Sequence, residues 1–314
     1  MKCKAIIISI KGTKLSRKEN ILLSKEKPWG IILFKRNIVS FKQIKNLISK
    51  IRKLTNNNRF PIIIDEEGIN VTRLENIIDH NVSANFFGNL YSYNKRFCLN
   101  IFEHYHYSLC KVLKDLGINI NTIPVLDILK LKTNKIIGNR SYSKRKDIVK
   151  KLGRLTINLL HKNKIAGVIK HIPGHGSAIS DSHKKMPKIK LNIKKLNNID
   201  FFPFKSSNAK FAMTAHILYE KIDRKNVATF SKIIIKEIIR KKIGFKGILI
   251  SDDISMKALK YDLVTNAQKS LEAGCNLVLY CAGNTDDNFK LIKSVPYIDE
   301  FTSKKTSEFF KFLR

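Results

Sequence analysis

The sequence predicts an α/β fold, a single (β/α)8 barrel of the TIM type in which some strands are irregular. Eight short apolar runs recur between residues 5 and 280, and continuous apolar runs are typical of parallel strands that are buried on both faces. Polar or helix-periodic segments separate the runs, as expected where a helix follows each strand. An open doubly wound sheet is the alternative, but no G-x-G-x-x-G follows the first run, so no dinucleotide site is predicted.

The predicted strands follow one another at intervals that leave room for helices. In chain order they are AIIISI (5–10), GIILF (30–34), PIIID (61–65), INTIPVLDI (120–128), GVIKH (167–171), FAMTAH (211–216), GILISD (247–252) and NLVLY (276–280). Between them, residues 41–54 and 230–243 carry apolar residues at helical spacing. The sequence therefore predicts helices over these two stretches.

No linker or low-complexity segment interrupts the alternation. We therefore expect one catalytic domain over residues 1–314, with a polar C-terminal tail from about residue 285. Three aromatic side chains near the end of this tail, Phe309, Phe310 and Phe312, are predicted to dock it on the barrel as a final helix.

The chain is strongly basic, with 60 Lys and Arg against 25 Asp and Glu and a formal net charge of +35. A field of this sign attracts polyanions. Lys, Ile and Asn are all abundant, however, which is the pattern that A/T-rich codons produce. The basic residues are spread along the whole length without a nucleic-acid-binding motif, so we expect no nucleic-acid partner.

The sequence shows no targeting or membrane-spanning signal. The first apolar run, residues 5–10, is too short for a signal-peptide core, and no run approaches the roughly 18 residues of a membrane span. Five cysteines without C-x-x-C spacing are most simply reduced, mostly buried thiols. We therefore expect a cytoplasmic protein without membrane contact.

Residues 167–187, GVIKHIPGHGSAISDSHKKMP, carry the densest set of titratable groups. Lys170 and His171 end an apolar run, a Pro-Gly-His-Gly loop follows, and Asp181 and His183 come shortly after it. A purely structural segment has little use for so many titratable groups at one strand end. The segment is predicted to be catalytic.

Four other predicted strands also end in polar residues. The complete set at or just past strand ends is Asp65, Asp127, Lys170, His171, His216, Asp252 and Asp253. In a barrel these residues lie on one rim, the face that carries the chemistry of such folds. A single aspartate there is ordinarily a turn residue or a helix N-cap, but five strands that end in this way indicate a shared site.

Several blocks together resemble the bacterial β-N-acetylhexosaminidases of glycoside hydrolase family 3, which release N-acetylglucosamine from peptidoglycan fragments in cell-wall recycling. The blocks are PWGIILFKRN (28–37), IIIDEEGINVTRL (62–74), PVLDI (124–128), IGNRSYS (137–143), KHIPGHG (170–176), DSH (181–183), MTAH (213–216) and GFKGILISDDISMKAL (244–259). The combination of KH-x-PGHG, DSH and SDD is highly specific. The resemblance implies a retaining glycosidase that needs no cofactor or metal and works as a monomer on GlcNAc-anhydromuropeptides.

The resemblance also implies the catalytic roles. Asp252 is the expected nucleophile, which forms a covalent glycosyl-enzyme, although it is also a possible N-cap for a helix near Met256, a role that Asp253 could take instead. His183 is the expected acid/base, and Asp181 is its partner. An imidazole suits proton transfer near neutral pH, and a neighbouring carboxylate fixes its tautomer.

Five further residues match the family's sugar contacts: Asp65, Arg73, Arg140, Lys170 and His171. Charged groups of this kind can orient a ring through its hydroxyls. His175 and His216 are expected to shape the site without direct chemistry.

The chain departs from the family pattern after the third strand, where the family reads D-Q-E-G-G-R-V and residues 65–71 read DEEGINV. Ile69 replaces a glycine, which predicts an altered loop if that position needs a positive φ. Asn70 replaces an arginine, which predicts weaker substrate binding or a changed ion pair. Because the nucleophile, the acid/base pair and the matched sugar contacts are all present, we expect activity, either at the ordinary level of the family or below it.

Two other functions are compatible with the residues. A metal-dependent barrel hydrolase could use His171, His175, His183 and Asp252, although neither H-x-H nor H-E-x-x-H occurs. A degenerate, non-catalytic basic binding protein is the other alternative, and Ile69 and Asn70 are its only sequence support.

Overall fold

The computed structural model describes residues 2–130, 137–178 and 186–314. Eight parallel strands close into a barrel in the order β1-β2-β3-β4-β5-β7-β9-β10. They are β1 (Lys4–Ser9), β2 (Pro28–Leu33), β3 (Ile62–Ile64), β4 (Ile120–Asn121), β5 (Ala166–Ile172), β7 (Phe211–Thr214), β9 (Ile248–Asp253) and β10 (Leu277–Leu279). Each coincides with one of the eight predicted apolar runs, so the predicted (β/α)8 barrel is confirmed.

Helices and short segments surround the barrel. The α-helices are α1 (Arg17–Ile21), α2 (Phe41–Thr55), α3 (Ala84–Tyr93), α4 (Lys95–Leu116), α5 (Lys146–Lys162), α6 (Ile193–Asn198), α7 (Leu263–Ala273), α8 (Thr285–Ser294) and α9 (Glu300–Phe312). Two further helical segments, Leu22–Glu26 and Ile234–Lys242, have π-type hydrogen bonding. Two short strands, β6 (Lys188–Ile189) and β8 (Leu218–Tyr219), pair in parallel outside the barrel.

Both predicted helical stretches are helical. The stretch at 41–54 is α2, whose first turn is capped by the Ser40 side chain. The stretch at 230–243 contains the π-type segment Ile234–Lys242, which buries four isoleucines against the barrel.

Helix α9 closes the amino-terminal end of the barrel with aromatic side chains. Phe309 is buried, and its ring centroid lies 5.2 Å from that of Phe211 and 6.3 Å from that of Trp29. The indole Nε1 of Trp29 donates to Thr306 Oγ1 at 2.9 Å. Burying one such ring contributes roughly 1.5–3 kcal/mol, so the docked tail is part of the core.

Among the described residues, no helix is both long enough and apolar enough to cross a membrane. The five cysteines are free thiols, four of them buried and Cys281 half-buried.

Candidate active site

A small cavity of about 150 Å³ opens at the carboxyl-terminal rim of the barrel. Its charged and polar lining residues are Asp65, Glu67, Arg73, Arg140, Lys170, His171, His175 and Asp252. Three carboxylates therefore face three cationic side chains and two imidazoles. Apolar residues complete the wall, among them Met213, Met256 and Leu279.

Lys170 is the central cation of this cavity. Its side chain is almost fully buried at the end of β5, and its Nζ lies 2.5 Å from Glu67 Oε1 and 3.4 Å from Asp65 Oδ1. The same Nζ donates to Thr122 Oγ1 at 2.7 Å. Because a buried ammonium is stable only with close partners, the two carboxylates and the lysine hold one another in place.

Asp65 lies immediately after β3 and contacts two cations. Arg73 Nη2 donates to its Oδ2 at 3.3 Å, and the Thr122 hydroxyl donates to its Oδ1. Burial alone would raise the pKa of Asp65, but Lys170 and Arg73 lower that pKa well below its usual value. The carboxylate is therefore ionised and can accept hydrogen bonds from a ligand.

Glu67 and Arg140 form a two-pronged ion pair. Arg140 Nε and Nη2 donate to the two carboxylate oxygens at 2.7 and 2.9 Å. Against the effect of burial, Arg140 and Lys170 lower the pKa of Glu67 to about 2. Sequence reasoning assigned no role to Glu67, although its place two residues after Asp65 at the same strand end was a usable signal.

His171 is oriented from behind by Asp127. The His171 Nδ1 lies 2.6 Å from Asp127 Oδ2, and Asp127 also accepts the backbone N–H groups of His171 at 3.2 Å and His175 at 2.6 Å. Asp127 does not line the cavity. Its contact with Nδ1 leaves His171 Nε2 as the ring nitrogen that is available to a ligand.

Asp252 lies near the end of β9 and lines the cavity. Its Oδ1 accepts the backbone N–H of Asp253 at 2.8 Å. Burial raises its pKa, but His216 and then His171 lower it, with a net shift below the usual value. Within the described part of the chain, no lysine or arginine forms a salt bridge with Asp252, in contrast to Asp65 and Glu67.

Asp253 and His216 support the end of β9 from outside the cavity. Asp253 accepts from Ser255 N at 3.1 Å, Ser255 Oγ at 2.7 Å and Cys281 N at 3.2 Å. His216 Nδ1 lies 2.7 Å from Thr229 Oγ1, and its Nε2 lies 3.0 Å from the Asp253 carbonyl oxygen. Both ring nitrogens of His216 are therefore engaged by the protein.

The suggested N-cap role of Asp252 or Asp253 is wrong. The residues around Met256 form turns, and the next helix, α7, begins at Leu263 with Asp262 as its cap. The Asp253 carboxylate is engaged by Ser255 instead, which stabilises the turn.

His175 faces the cavity as a neutral imidazole. Burial lowers its pKa to about 4, and neither ring nitrogen has a hydrogen-bond partner among the described residues. The loop that carries His175 packs closely against the chain at Asp200. Gly174 in this loop has φ +136°, and a Cβ added there would lie 2.7 Å from the Asp200 carbonyl oxygen. The glycine is required there.

Ile69, in the loop after β3, is not at a position that needs a positive φ, so the condition for an altered loop is not met. The position that requires glycine is Gly68, with φ +135° and a place for Cβ only 2.2 Å from the Val82 carbonyl oxygen. Ile69 does not have a positive φ and is 48% exposed. Asn70 is exposed as well, and neither residue lines the cavity.

The structure brings together in the cavity all the described residues to which the sequence assigned a catalytic or sugar-binding role: Asp65, Arg73, Arg140, Lys170, His171 and Asp252. Asp127, His216 and Asp253, which were also predicted at the rim, do not line the cavity. Asp181 and His183 lie outside the described residues. In the ranges 2–130, 137–178 and 186–314, no group of three or more His, Cys, Asp or Glu side chains could hold a metal ion.

The chain is similar in sequence and in fold to known proteins of one family. A family model described as the glycosyl hydrolase family 3 N-terminal domain matches residues 4–301. A β-hexosaminidase of Nitrosomonas eutropha is 30% identical over 310 residues, which are 96% of this chain and 86% of that protein. The crystal structure of NagZ from Neisseria gonorrhoeae in complex with N-trifluoroacetyl-D-glucosamine is 28% identical with a TM-score of 0.88, over 100% of this chain and 91% of that one.

Proposed function

Because this chain belongs to glycosyl hydrolase family 3 and is a β-hexosaminidase, we propose that it removes terminal β-linked N-acetylglucosamine from peptidoglycan fragments. The small, polar cavity supports an enzyme that takes one terminal sugar residue rather than an internal segment of a polymer. The substrate class, GlcNAc-anhydromuropeptides in cell-wall recycling, rests on the resemblance of the sequence blocks to the bacterial enzymes of this family. The cocrystallised glucosamine derivative of the Neisseria relative is consistent with it.

The proposed mechanism depends on the ionisation and the contacts of Asp252. Two of the three cavity carboxylates are bound to cations, whereas Asp252 is ionised and has no salt bridge in the described part of the chain. A carboxylate in this state can attack an anomeric carbon. We assign Asp252 as the nucleophile.

The reaction then has two steps. The Asp252 carboxylate bonds to the anomeric carbon while the glycosidic C–O bond breaks, and protonated His183 gives its proton to the departing oxygen. In the second step His183 takes a proton from water, whose oxygen attacks the anomeric carbon and releases the Asp252 carboxylate. The configuration is retained, and Asp181 orients the imidazole.

The remaining lining residues would hold the sugar. Asp65, Arg73, Arg140, Lys170 and His171 surround the cavity with fixed charges and one oriented imidazole. Charge-assisted hydrogen bonds to the hydroxyls are the interactions that such groups make. The ion pairs among them keep these donors and acceptors in place before the substrate arrives.

The setting of the enzyme is part of the proposal. We propose a monomeric, single-domain enzyme over residues 1–314 that works in the cytoplasm without a cofactor, a nucleic-acid partner or a membrane. Chelation with EDTA is therefore expected to leave turnover unchanged. Activity that is abolished by chelation and restored by zinc would favour the metal-dependent alternative.

The test is nitrophenol release from an aryl β-N-acetylglucosaminide by the wild type and by Asp252→Asn. We expect turnover by the wild type and a loss of at least about 1,000-fold in the variant. Asp253→Asn is the matched control, because its side chain lies next in sequence but is engaged by Ser255. Near-normal rates in Asp252→Asn would refute the nucleophile, and an inactive wild type would refute the substrate class.

A further inference from the structure

Glu66 lies between two cavity residues, Asp65 and Glu67, but its own side chain is fully buried and does not line the cavity. It stands where the family motif has glutamine. Its Oε2 accepts the backbone N–H groups of Arg73 at 2.7 Å and Leu74 at 3.1 Å. The carboxylate therefore ties the end of the loop over residues 66–74 back to its beginning.

The other oxygen of Glu66 has two further donors. Thr72 Oγ1 donates to Oε1 at 2.7 Å, and His80 Nδ1 lies 2.5 Å from the same oxygen. A buried carboxylate is tolerated only where its oxygens are met by donors. With four donors, Glu66 satisfies this requirement.

His80 connects this carboxylate to helix α4. Its Nε2 contacts the Tyr105 hydroxyl, and burial raises the pKa of Tyr105 far above its usual value, so the hydroxyl keeps its proton. When Tyr105 donates to Nε2, the proton of His80 is on Nδ1 and is donated to Glu66. The three side chains then form one directional chain of hydrogen bonds.

The Glu66 backbone is also fixed, to strand β4. Its N–H donates to Asn121 Oδ1 at 3.0 Å, and its carbonyl oxygen accepts from Asn121 Nδ2 at 2.9 Å. Glu66 therefore connects this fixed point to Asp65 and Glu67 through the chain and to Arg73 through a hydrogen bond. These are three of the groups that line the cavity.

We propose that Glu66, His80 and Tyr105 are positioning residues that fix the 66–74 loop, so that substrate affinity depends on side chains that do not line the cavity. The proposal rests on the assignment of Asp65 and Arg73 as sugar contacts. Glu66 and His80 depend on each other, because a carboxylate in this environment needs the imidazole donor. A glutamine amide is neutral and does not leave a charge unpaired when the imidazole is absent.

The variants that test the proposal are Glu66→Ala, His80→Phe and the double variant Glu66→Gln/His80→Phe, with KM and kcat measured on an aryl β-N-acetylglucosaminide. Each single variant is expected to raise KM about tenfold and to change kcat by less than about threefold, because the sugar contacts are displaced while the reacting groups stay. The double variant is expected to bring KM back to within about threefold of the wild type.

Glu19→Ala is the matched control. Glu19 is another buried carboxylate that accepts backbone N–H groups, from Lys11 at 2.9 Å and Ser16 at 2.8 Å, but it does not contact the cavity loop. This variant is expected to lower the melting temperature without changing KM. A loss of stability in Glu66→Ala with an unchanged KM, as in this control, would overturn the proposal.

Hydrogen–deuterium exchange gives a readout that does not depend on turnover. The amides of residues 72–74 are expected to exchange faster in His80→Phe than in the wild type and more slowly again in the double variant. Equal exchange in all three proteins would overturn the proposal even if Glu66→Ala failed to fold. A wild type without glycosidase activity would refute the proposed function instead, and exchange would still test the loop.

Discussion

The two ends of the barrel are formed by the same strands but bury very different side chains. At the amino-terminal end, the rings of Trp29, Phe211 and Phe309 pack together under α9. At the carboxyl-terminal end, the buried side chains are charged, and Lys170 is only 2% exposed between Asp65 and Glu67. One end is held by apolar contact and the other by opposite charges.

This difference indicates where stability and function can be separated. Apolar packing is non-directional and contributes in proportion to the area that is buried. Buried charges pay a desolvation penalty that their partners only offset, so they contribute geometry more than stability. We therefore expect substitutions at the amino-terminal end to lower the free energy of unfolding and those at the cavity to lower kcat/KM.

The largest effect is expected from Phe309→Ala, which should lower the free energy of unfolding. Truncating a fully buried phenylalanine typically costs about 3–5 kcal/mol of unfolding free energy. We expect that loss in urea denaturation, together with a kcat/KM per folded molecule within about twofold of the wild type. A large fall in kcat/KM of the folded fraction would show that the two ends are coupled.

Arg73→Ala, at the cavity, is expected to have the reverse effect: a small change in stability and a large fall in kcat/KM. Arg73 is part-exposed, and its salt bridge with Asp65 is 3.3 Å long, so unfolding free energy should change by less than about 1 kcal/mol. Loss of a charged hydrogen bond to the substrate should lower kcat/KM about 30- to 100-fold, or about 2–3 kcal/mol. Unfolding curves and steady-state kinetics on the same samples check both values, and a stability loss without a kinetic loss would contradict the assignment.

The pH dependence of the free energy of unfolding tests whether burial keeps His175, at the same end of the barrel, uncharged. Its pKa is lowered to about 4 in the folded protein, against about 6.5 in an unfolded chain. The unfolded chain therefore binds the proton first, and the stability contribution present above pH 6.5 is lost as the pH falls toward 4. The wild type should lose about 2 kcal/mol more than His175→Asn between pH 7 and pH 5.

Exposed His104 provides the control for this titration. His104→Asn makes the same substitution at an exposed position away from the cavity and shows the effect of losing a histidine as such. Parallel curves for the wild type and His175→Asn would mean that His175 is not held neutral by burial.

The smallest effect is expected from restoring the family motif with Ile69→Gly and Asn70→Arg. Neither residue lines the cavity, and Ile69 does not have a positive φ. We expect kcat/KM within about threefold of the wild type, with a loss of about 0.5–1 kcal/mol of stability from the added glycine. A gain of more than about tenfold in kcat/KM would place these positions in the working site.

The strands could be predicted because each is a continuous apolar run that ends in a polar residue. Even β4, which has only two residues in regular pairing, lies inside such a run. The rim location of Asp65, Lys170 and Asp252 followed from strand ends meeting at one face. Most of the fold and much of the candidate site could therefore be predicted from apolar periodicity and from the residues at strand ends.

The sequence did not allow us to predict which side chains contact each other between strands and loops. Asp127 and His171 are 44 residues apart, and they meet because their segments belong to the neighbouring strands β4 and β5. The Glu67–Arg140 pair likewise joins residues 73 apart. The contact of Glu66 with His80, 14 residues away, depends on the path of the loop after β3, which apolar periodicity does not predict. The helix suggested near Met256 was wrong because side-chain hydrogen bonds from Ser255 to Asp253 favour a turn there.

The most direct test of the proposed mechanism is to identify the residue that becomes covalently linked to the sugar. The enzyme would be incubated with a slow 5-fluoro glycosyl fluoride of N-acetylglucosamine, digested and analysed by mass spectrometry. We expect one glycosylated peptide, modified at Asp252. A modification at another residue, or turnover of the reagent to a product of inverted configuration without any adduct, would contradict it.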